Sequence, residues 1–423
     1  MRLSGITRYV CSAVLAVLLN VPVYSSAQEE EQLWNGREML ARASVHNPAS
    51  CIVMGMCYYY GLGIEQDISK AVHWYTLGAE AGNTECMCEL AKLYRFGFLV
   101  PRDTKKAISY MERAIKAGNT PALLMLGWTY LIGQGVEKDF TRAYNLFLRA
   151  ARHGHADACY WVGWCCQRGV GVSVDGALAL QWYGVGALRG SANCMVGLGN
   201  VNVHGKGLQR NVVAQARFWL QLAAGQGVAE AQAMLRDLEL AESVTPMSLS
   251  QLSQVTAQQC WEQYLYGIYV GDTTEQQPEA WLERAVELGH PRAAAQLASE
   301  RFSVLATPNE NARWLPSLEK AAAAGEPSAW SVLANYYNLC LNGEEDMQKI
   351  SHCVLRYAET SQCAGAMMSM ADAYALGAYN KVPDIHHVAE WTRRSAAKGF
   401  RLAADVLPFV ELLSRSAQQP GKN

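Results

Sequence analysis

The stretch Thr120–His155 reads TPALLMLGWTYLIGQGVEKDFTRAYNLFLRAARHGH. Pro121 stands at a helix start, where a missing N–H costs nothing. Ala122, Leu126, Gly127 and Tyr130 follow at helical spacing and predict one face of a first helix. Gly133-Gln134-Gly135 ends that helix, because glycine accepts the left-handed cap conformation. A second helix is predicted from about Asp139 to Arg152, with Ala143, Leu146 and Ala150 on one side, closed by His153-Gly154-His155. Gly127 and Ala143 mark where the two helices of the hairpin approach closely, so a bulky residue at 127 is expected to force them apart.

The same unit recurs on both sides. Gly61, Gly97, Gly133, Gly169 and Gly205 are 36 residues apart, and so are Gly82, Gly118, Gly154 and Gly190. Ala71, Ala107, Ala143 and Ala179 keep the same step. Three series in phase over one stretch define a helix-turn-helix repeat, and one hairpin cannot bury its apolar stripe alone. Stacked hairpins share a continuous core, which predicts an all-α solenoid with a concave side. Five copies are clear up to residue 228, and Ala229 to Ala241 reads as the first helix of a sixth. The phase then breaks at Val244-Thr-Pro-Met-Ser-Leu-Ser-Gln. Degenerate copies resume at about 256–290, 291–326, 327–362 and 363–400.

The 423 residues are half apolar and 17% charged, which suits a folded chain. A net charge of −2 without blocks of like charge makes nucleic acid a poor partner. The amino terminus reads as an export signal: Arg2 and Arg8, an apolar run from Tyr9 to Val23, and Ser25-Ser26-Ala27 before a cut. The run is shorter than a membrane span and is broken by Asn20 and Pro22. The expected organisation is therefore a signal peptide at 1–27 and an N-terminal capping helix at 28–48. Clear repeats follow at 49–241, a linker at 242–255, degenerate repeats at 256–400, and a capping helix and tail at 401–423. The expected location is periplasmic or secreted, with the signal peptide cleaved after Ala27 and no membrane span remaining.

The repeat resembles the Sel-1-like repeat, a relative of the tetratricopeptide repeat, whose unit runs A-x3-L-G-x2-Y-x2-G-x-G-V, then K-A-x2-W and A-A-x2-G. Ala122, Leu126, Gly127, Tyr130, Gly133, Gly135 and Val136 match it, as do Lys70, Ala71 and Trp74. Leu99 and Asn202 depart from it. The resemblance implies a right-handed superhelix and a non-catalytic scaffold or adaptor of the bacterial envelope or secretome, binding a protein or peptide without a cofactor. It also implies that first helices line a groove, with Met56, Tyr59, Lys92, Arg95, Leu124, Trp128, Tyr160 and Trp164 facing it. That strip is apolar and aromatic with one basic pair, a composition suited to binding hot spots.

The alternative is a cysteine-rich β-lactamase-like or cell-wall-binding hydrolase. Ser395-Ala-Ala-Lys398 fits S-x-x-K and Ser191-Ala-Asn193 a loose S-x-N, but no K-T-G follows, and both fall where the repeat itself places helix ends. His153, His155 and Cys159 lack a fourth ligand at fixed spacing for a metal, and His386-His387 reads as a solvated loop pair. Twelve of the thirteen cysteines follow residue 27, with no C-x-x-C among them. Those of repeats one to five all fall on first helices. The spacing allows bridges Cys51–Cys86 and Cys159–Cys194 between stacked first helices, and Cys340–Cys353 across a turn; small buried apolar residues are the other reading.

Overall fold

The computed structural model describes residues 48–417, apart from 98, 134, 205–209, 253, 271–276, 303–304, 307, 340–343 and 380–381. The expected signal peptide, and the front capping helix up to residue 47, lie outside them. Among the described residues there is no strand.

The first five repeats are α1 (Pro48–Tyr60) with α2 (Ile68–Glu80), α3 (Thr84–Phe96) with α4 (Thr104–Lys116), and α5 (Thr120–Ile132) with α6 (Phe140–Arg152), then α7 (Ala156–Arg168) with α8 (Gly176–Leu188), and α9 (Ala192–His204) with α10 (Arg210–Gly225). A lone first helix follows, α11 (Ala229–Ser243). Residues 244–256 hold only a single 3-10 turn, Leu249–Gln251. Then come α12 (Ala257–Tyr269) with α13 (Pro278–Glu287), α14 (Pro291–Arg301) with the broken pair α15 (Pro308–Ala312) and α16 (Leu315–Ala323), and α17 (Pro327–Leu339) with α18 (Glu344–Ser361). Last are α19 (Ala364–Ala375), α20 (Ile385–Ala397) and a closing helix α21 (Arg401–Ala417). The chain is an α-solenoid of stacked helical hairpins.

Three devices recur with the repeat. The first caps the second helices of repeats one to four: Asp67, Asp103, Asp139 and Asp175 accept from Lys70 N, Lys106 N, Arg142 N and Leu178 N at 2.8–3.0 Å. Such a cap is worth about 1 kcal/mol.

The second device joins neighbouring hairpins. Asn83 and Asn119 cap α3 and α5 by accepting from Cys86 N and Ala122 N. Their amides also reach back one repeat, to Pro48 O at 3.2 Å and Thr84 Oγ1 at 3.2 Å. Ser191 repeats the arrangement, donating to the buried Asp157 Oδ1 at 2.7 Å while accepting from Cys194 N at 3.4 Å. His290 uses its two ring nitrogens for the same pair of tasks, toward Ala293 N and Gln258 Oε1.

The third device is the close approach inside the hairpin. A Cβ on Gly127 would lie 2.6 Å from the fully buried Phe147 ring, and one on Gly163 2.6 Å from Tyr183. Gly55 stands in the same relation to Tyr75. Where the second helix carries the flexible Met111 instead of a ring, the first helix carries Ala91. The partner of Gly127 is thus the Phe147 ring; Ala143 is buried one turn before it.

The helices divide into two compact units, Gly154–Ala366, and the described residues up to His153 together with those from Met367. In the second of these, Gln66 donates from Nε2 to Pro383 O at 3.0 Å, so the chain end packs on the first repeat. In the other, Arg168 donates to Phe302 O at 3.4 Å. Each unit therefore joins segments far apart in sequence, beyond the nearest-neighbour stacking of an ideal repeat array.

Candidate functional site

Of the eight positions expected to face a groove, Met56, Tyr59, Lys92, Arg95, Leu124, Tyr160 and Trp164 are buried, and Trp128 is half-buried. Rings from the second helices cover several of them. Tyr59 lies 6.5 Å from Tyr75, Trp128 6.3 Å from Phe147 and Tyr160 5.7 Å from Tyr183, centroid to centroid. Trp164 packs edge-on to Trp161. Burial drives the Tyr59 hydroxyl well above its usual range. The basic pair is also occupied internally. Lys92 Nζ contacts Glu89 Oε1 at 2.6 Å. Burial, and secondarily the charge of Arg102, pull Arg95 down to about 10, and its guanidinium lies over Phe96. These residues form core in this structure, and a partner would reach the seven buried ones only by parting packed helices.

The residues weighed for chemistry are likewise structural. Ser395 is fully buried near the end of α20, whereas Lys398 is exposed, so the two do not share a cleft. Ser191 is consumed by the inter-repeat clamp. His155 precedes α7 at the capping position, and among the described residues no group of three His, Cys, Asp or Glu is arranged to hold a metal. His386 and His387 are not in a loop: they open α20, where Asp384 caps both amides at 3.1 Å. His387 Nδ1 contacts Asp384 Oδ2 at 2.6 Å, and its ring stacks on Tyr374. Asp384, two residues before the His pair, is the N-cap that draws both histidines into the first turn of the helix.

Eleven cysteines are described, and all are buried. Burial pushes Cys57, Cys88 and Cys353 up to about 12, which makes them poor nucleophiles. Cys340 lies outside the described residues, and with it the Cys340–Cys353 pairing.

Two surface features are visible that residue-by-residue transfer did not find. Between α4 and α6 lies an open depression of about 980 Å³, floored by Ile115, Leu126 and Leu146 and rimmed by Lys116, Arg142 and Arg149. The second is a change in character of the outer face of the second helices. At one register repeats one to four carry Leu77, Arg113, Arg149 and Val185, Leu77 being half-buried; three residues on they carry Glu80, Lys116, Arg152 and Leu188. Val185 and Leu188 are exposed, Leu188 by 83%. The α8 sequence GALALQWYGVGAL has no charged residue. The next second helix, α10, exposes Phe218 and Leu222, with Leu222 at the register of Val185 once the extra residue of repeat five is allowed for. A comparison of equivalent positions along the repeat carries this signal.

None of the described helices is long and apolar enough to cross a membrane. No functionally characterised protein matches the chain. Solved structures similar to this chain include the following two. One is a protective antigen present in uropathogenic Escherichia coli strains that displays an SLR fold, at 24% identity and a TM-score of 0.44, covering 88% of this chain and 82% of its own. The other is a Sel1 repeat protein from Oxalobacter formigenes, at 26% identity and 0.43, covering 62% of this chain and 99% of its own. The Sel1 repeat family itself matches at residues 48–83, 84–119, 120–155, 156–191, 192–228 and 263–290, while the hairpins from α14 onward keep the architecture without the matching sequence. With six Sel1 repeats, this chain is a Sel1-repeat protein.

Proposed function

We propose that the protein is a non-catalytic scaffold that binds another protein in the cell envelope or outside the cell, and that it does so through the outer faces of α8 and α10. Sel1 repeats generally mediate protein–protein contacts. The observation that carries the assignment to this face is the replacement of Arg149 and Arg152 by Val185 and Leu188 at equivalent exposed positions. Large exposed apolar side chains at positions that are charged in repeats two and three are the usual mark of an interaction surface. The export reading of residues 1–27 supports the location, because the leader pattern precedes the first repeat.

The test restores the residues of repeat three at this register. Val185→Arg with Leu188→Arg alters only exposed side chains and leaves the melting temperature within about 1–2 °C of wild type, since surface changes are worth about 0.5 kcal/mol or less. Crosslinking pull-down from an envelope fraction should recover a partner with wild type and lose it with the double variant. An unchanged set of partners would reject this face. Light scattering on the purified chain separates a second copy of the protein from a foreign partner.

A further inference from the structure

The cysteines of repeats one and four occupy one special register. A Cβ added to Gly78 would meet the Cβ of Cys51 at 2.9 Å and the Cβ of Cys86 at 3.1 Å, and would overlap the Cys86 sulfur. The two cysteine Cβ atoms are therefore no more than 6.0 Å apart, a limit that spans the roughly 3.5–4.5 Å of a disulfide. Three repeats later, a Cβ on Gly186 would meet the Cβ of Cys159 at 2.9 Å and overlap the Cys194 sulfur. All four cysteines are fully buried.

The intervening repeats show that the three positions change together. Repeat two has Met87, Ala114 and Ala122 there, and repeat three has Leu123, Ala150 and Ala158. Glycine replaces alanine on the second helix only where both first helices supply cysteine. Removing that methyl makes room for the Cys86 sulfur, and in repeat four for the Cys194 sulfur. Packing one thiol accounts for the glycine but not for the second cysteine, which stands across it in both repeats and in neither of the two between them. Cysteines at other registers, such as Cys57 and Cys88, have no such glycine opposite them.

The geometry points to two disulfides, Cys51–Cys86 and Cys159–Cys194, each tying the first helices of adjacent hairpins across a glycine. The oxidant is a disulfide-donating reagent, either a low-molecular-weight disulfide or a protein thiol oxidase. One cysteine thiolate attacks a sulfur of the donor, releasing one donor thiolate and leaving a mixed disulfide. The second cysteine thiolate attacks the sulfur of the first and expels the other donor thiolate. Each protein pair loses two electrons and two protons, and the donor disulfide becomes two thiols. Because the four sulfur atoms are buried once packed, closure accompanies docking of the hairpins. Arg189 Nη1 lies 3.6 Å from the Cys159 sulfur, and its charge opposes the burial that pushes this thiol up.

The test uses the full chain, refolded from the reduced state in a mixture of reduced and oxidised glutathione. Remaining thiols are blocked with N-ethylmaleimide in denaturant, and the digest is read by non-reducing mass spectrometry. The expected result is two crosslinked species, Cys51–Cys86 and Cys159–Cys194, with Cys57, Cys88, Cys165 and Cys166 alkylated. Cys51→Ala should leave Cys86 alkylated and the second bridge intact. Alkylation of all four cysteines, pairing with other cysteines, or the same pairs at the same yield when oxidation is done in denaturant would each overturn the proposal. Wild type alone decides the matter if a variant fails to fold.

Discussion

Adding one methyl group at Gly127 tests the close approach of the two helices within a hairpin. The new Cβ would stand 2.6, 2.9 and 3.1 Å from three atoms of the Phe147 ring, against an ordinary contact of 3.4–4 Å. The ring must retreat by roughly 1 Å, and with no exposed surface it has nowhere to go without moving α6, an overpacking that costs about 1–3 kcal/mol. Alanine offsets part of this, because it is better than glycine in a helix by about 1 kcal/mol. The expected net loss for Gly127→Ala is thus about 0–2 kcal/mol, and larger for Gly127→Leu. The informative experiment pairs it with Phe147→Met, which recreates the Ala91–Met111 combination of repeat two. The double variant should be more stable than the sum of the single effects by about 1–2 kcal/mol, read as a shift in urea midpoint at constant slope. In units of this size each kcal/mol moves the melting temperature by about 2–4 °C. Strict additivity of the two substitutions would refute the pairing of Gly127 with the ring.

Asn119→Ala removes both a helix cap and the tie to Thr84, so it should cost about 1–2 kcal/mol and raise hydrogen exchange at Ala122; Asn119→Ser, which keeps the cap, should recover part of this. His290 has its pKa lowered, first by burial and then by Arg292, with Glu326 and Glu262 opposing. The folded state therefore binds this proton less readily than the unfolded chain, so its stability is complete above about pH 6.5 and falls as pH drops below that value. His290→Asn, which can still cap α14, should flatten that decline in urea melts between pH 7 and 5. Neither wild type nor Ser395→Ala should turn over nitrocefin; a wild-type rate abolished by Ser395→Ala would restore the hydrolase alternative. Trp164→Ala should lose about 3–5 kcal/mol as a cavity in the core, visible as a lower urea midpoint.

The hairpin architecture was legible because the signal was backbone-deep. Positive-φ glycines such as Gly97, Gly133 and Gly169 end first helices at a fixed step, and no other residue takes that conformation as readily. The degenerate copies after residue 256 were legible too, since Gly289, Gly325 and Gly399 keep the same turn after second helices. Side-chain placement was not legible in this way. Helical spacing locates a face but not what covers it, and residues such as Tyr59 and Leu124 lie beneath packed neighbours. Long-range contacts such as Gln66 with Pro383 leave no periodic trace, because they depend on where a run of hairpins brings its far end.

The repeats align the chain with itself. At a fixed register each copy answers the same steric question, so a departure in one copy reports a local demand. Gly55, Gly127, Gly163 and Gly199 differ from Ala91, and a bulky side chain stands opposite each: a ring at the first three and Leu220 at the last. Gly78 and Gly186 depart from Ala114 and Ala150 where two cysteines stand opposite, one of them by its sulfur. Val185 and Leu188 depart from Arg149 and Arg152 with nothing opposite them in the fold, as their exposure shows. The first two departures are answered by groups within the chain. The third is answered by none among the described residues, and a surface whose sequence changes from charged to apolar without an internal cause is where an external partner is to be sought.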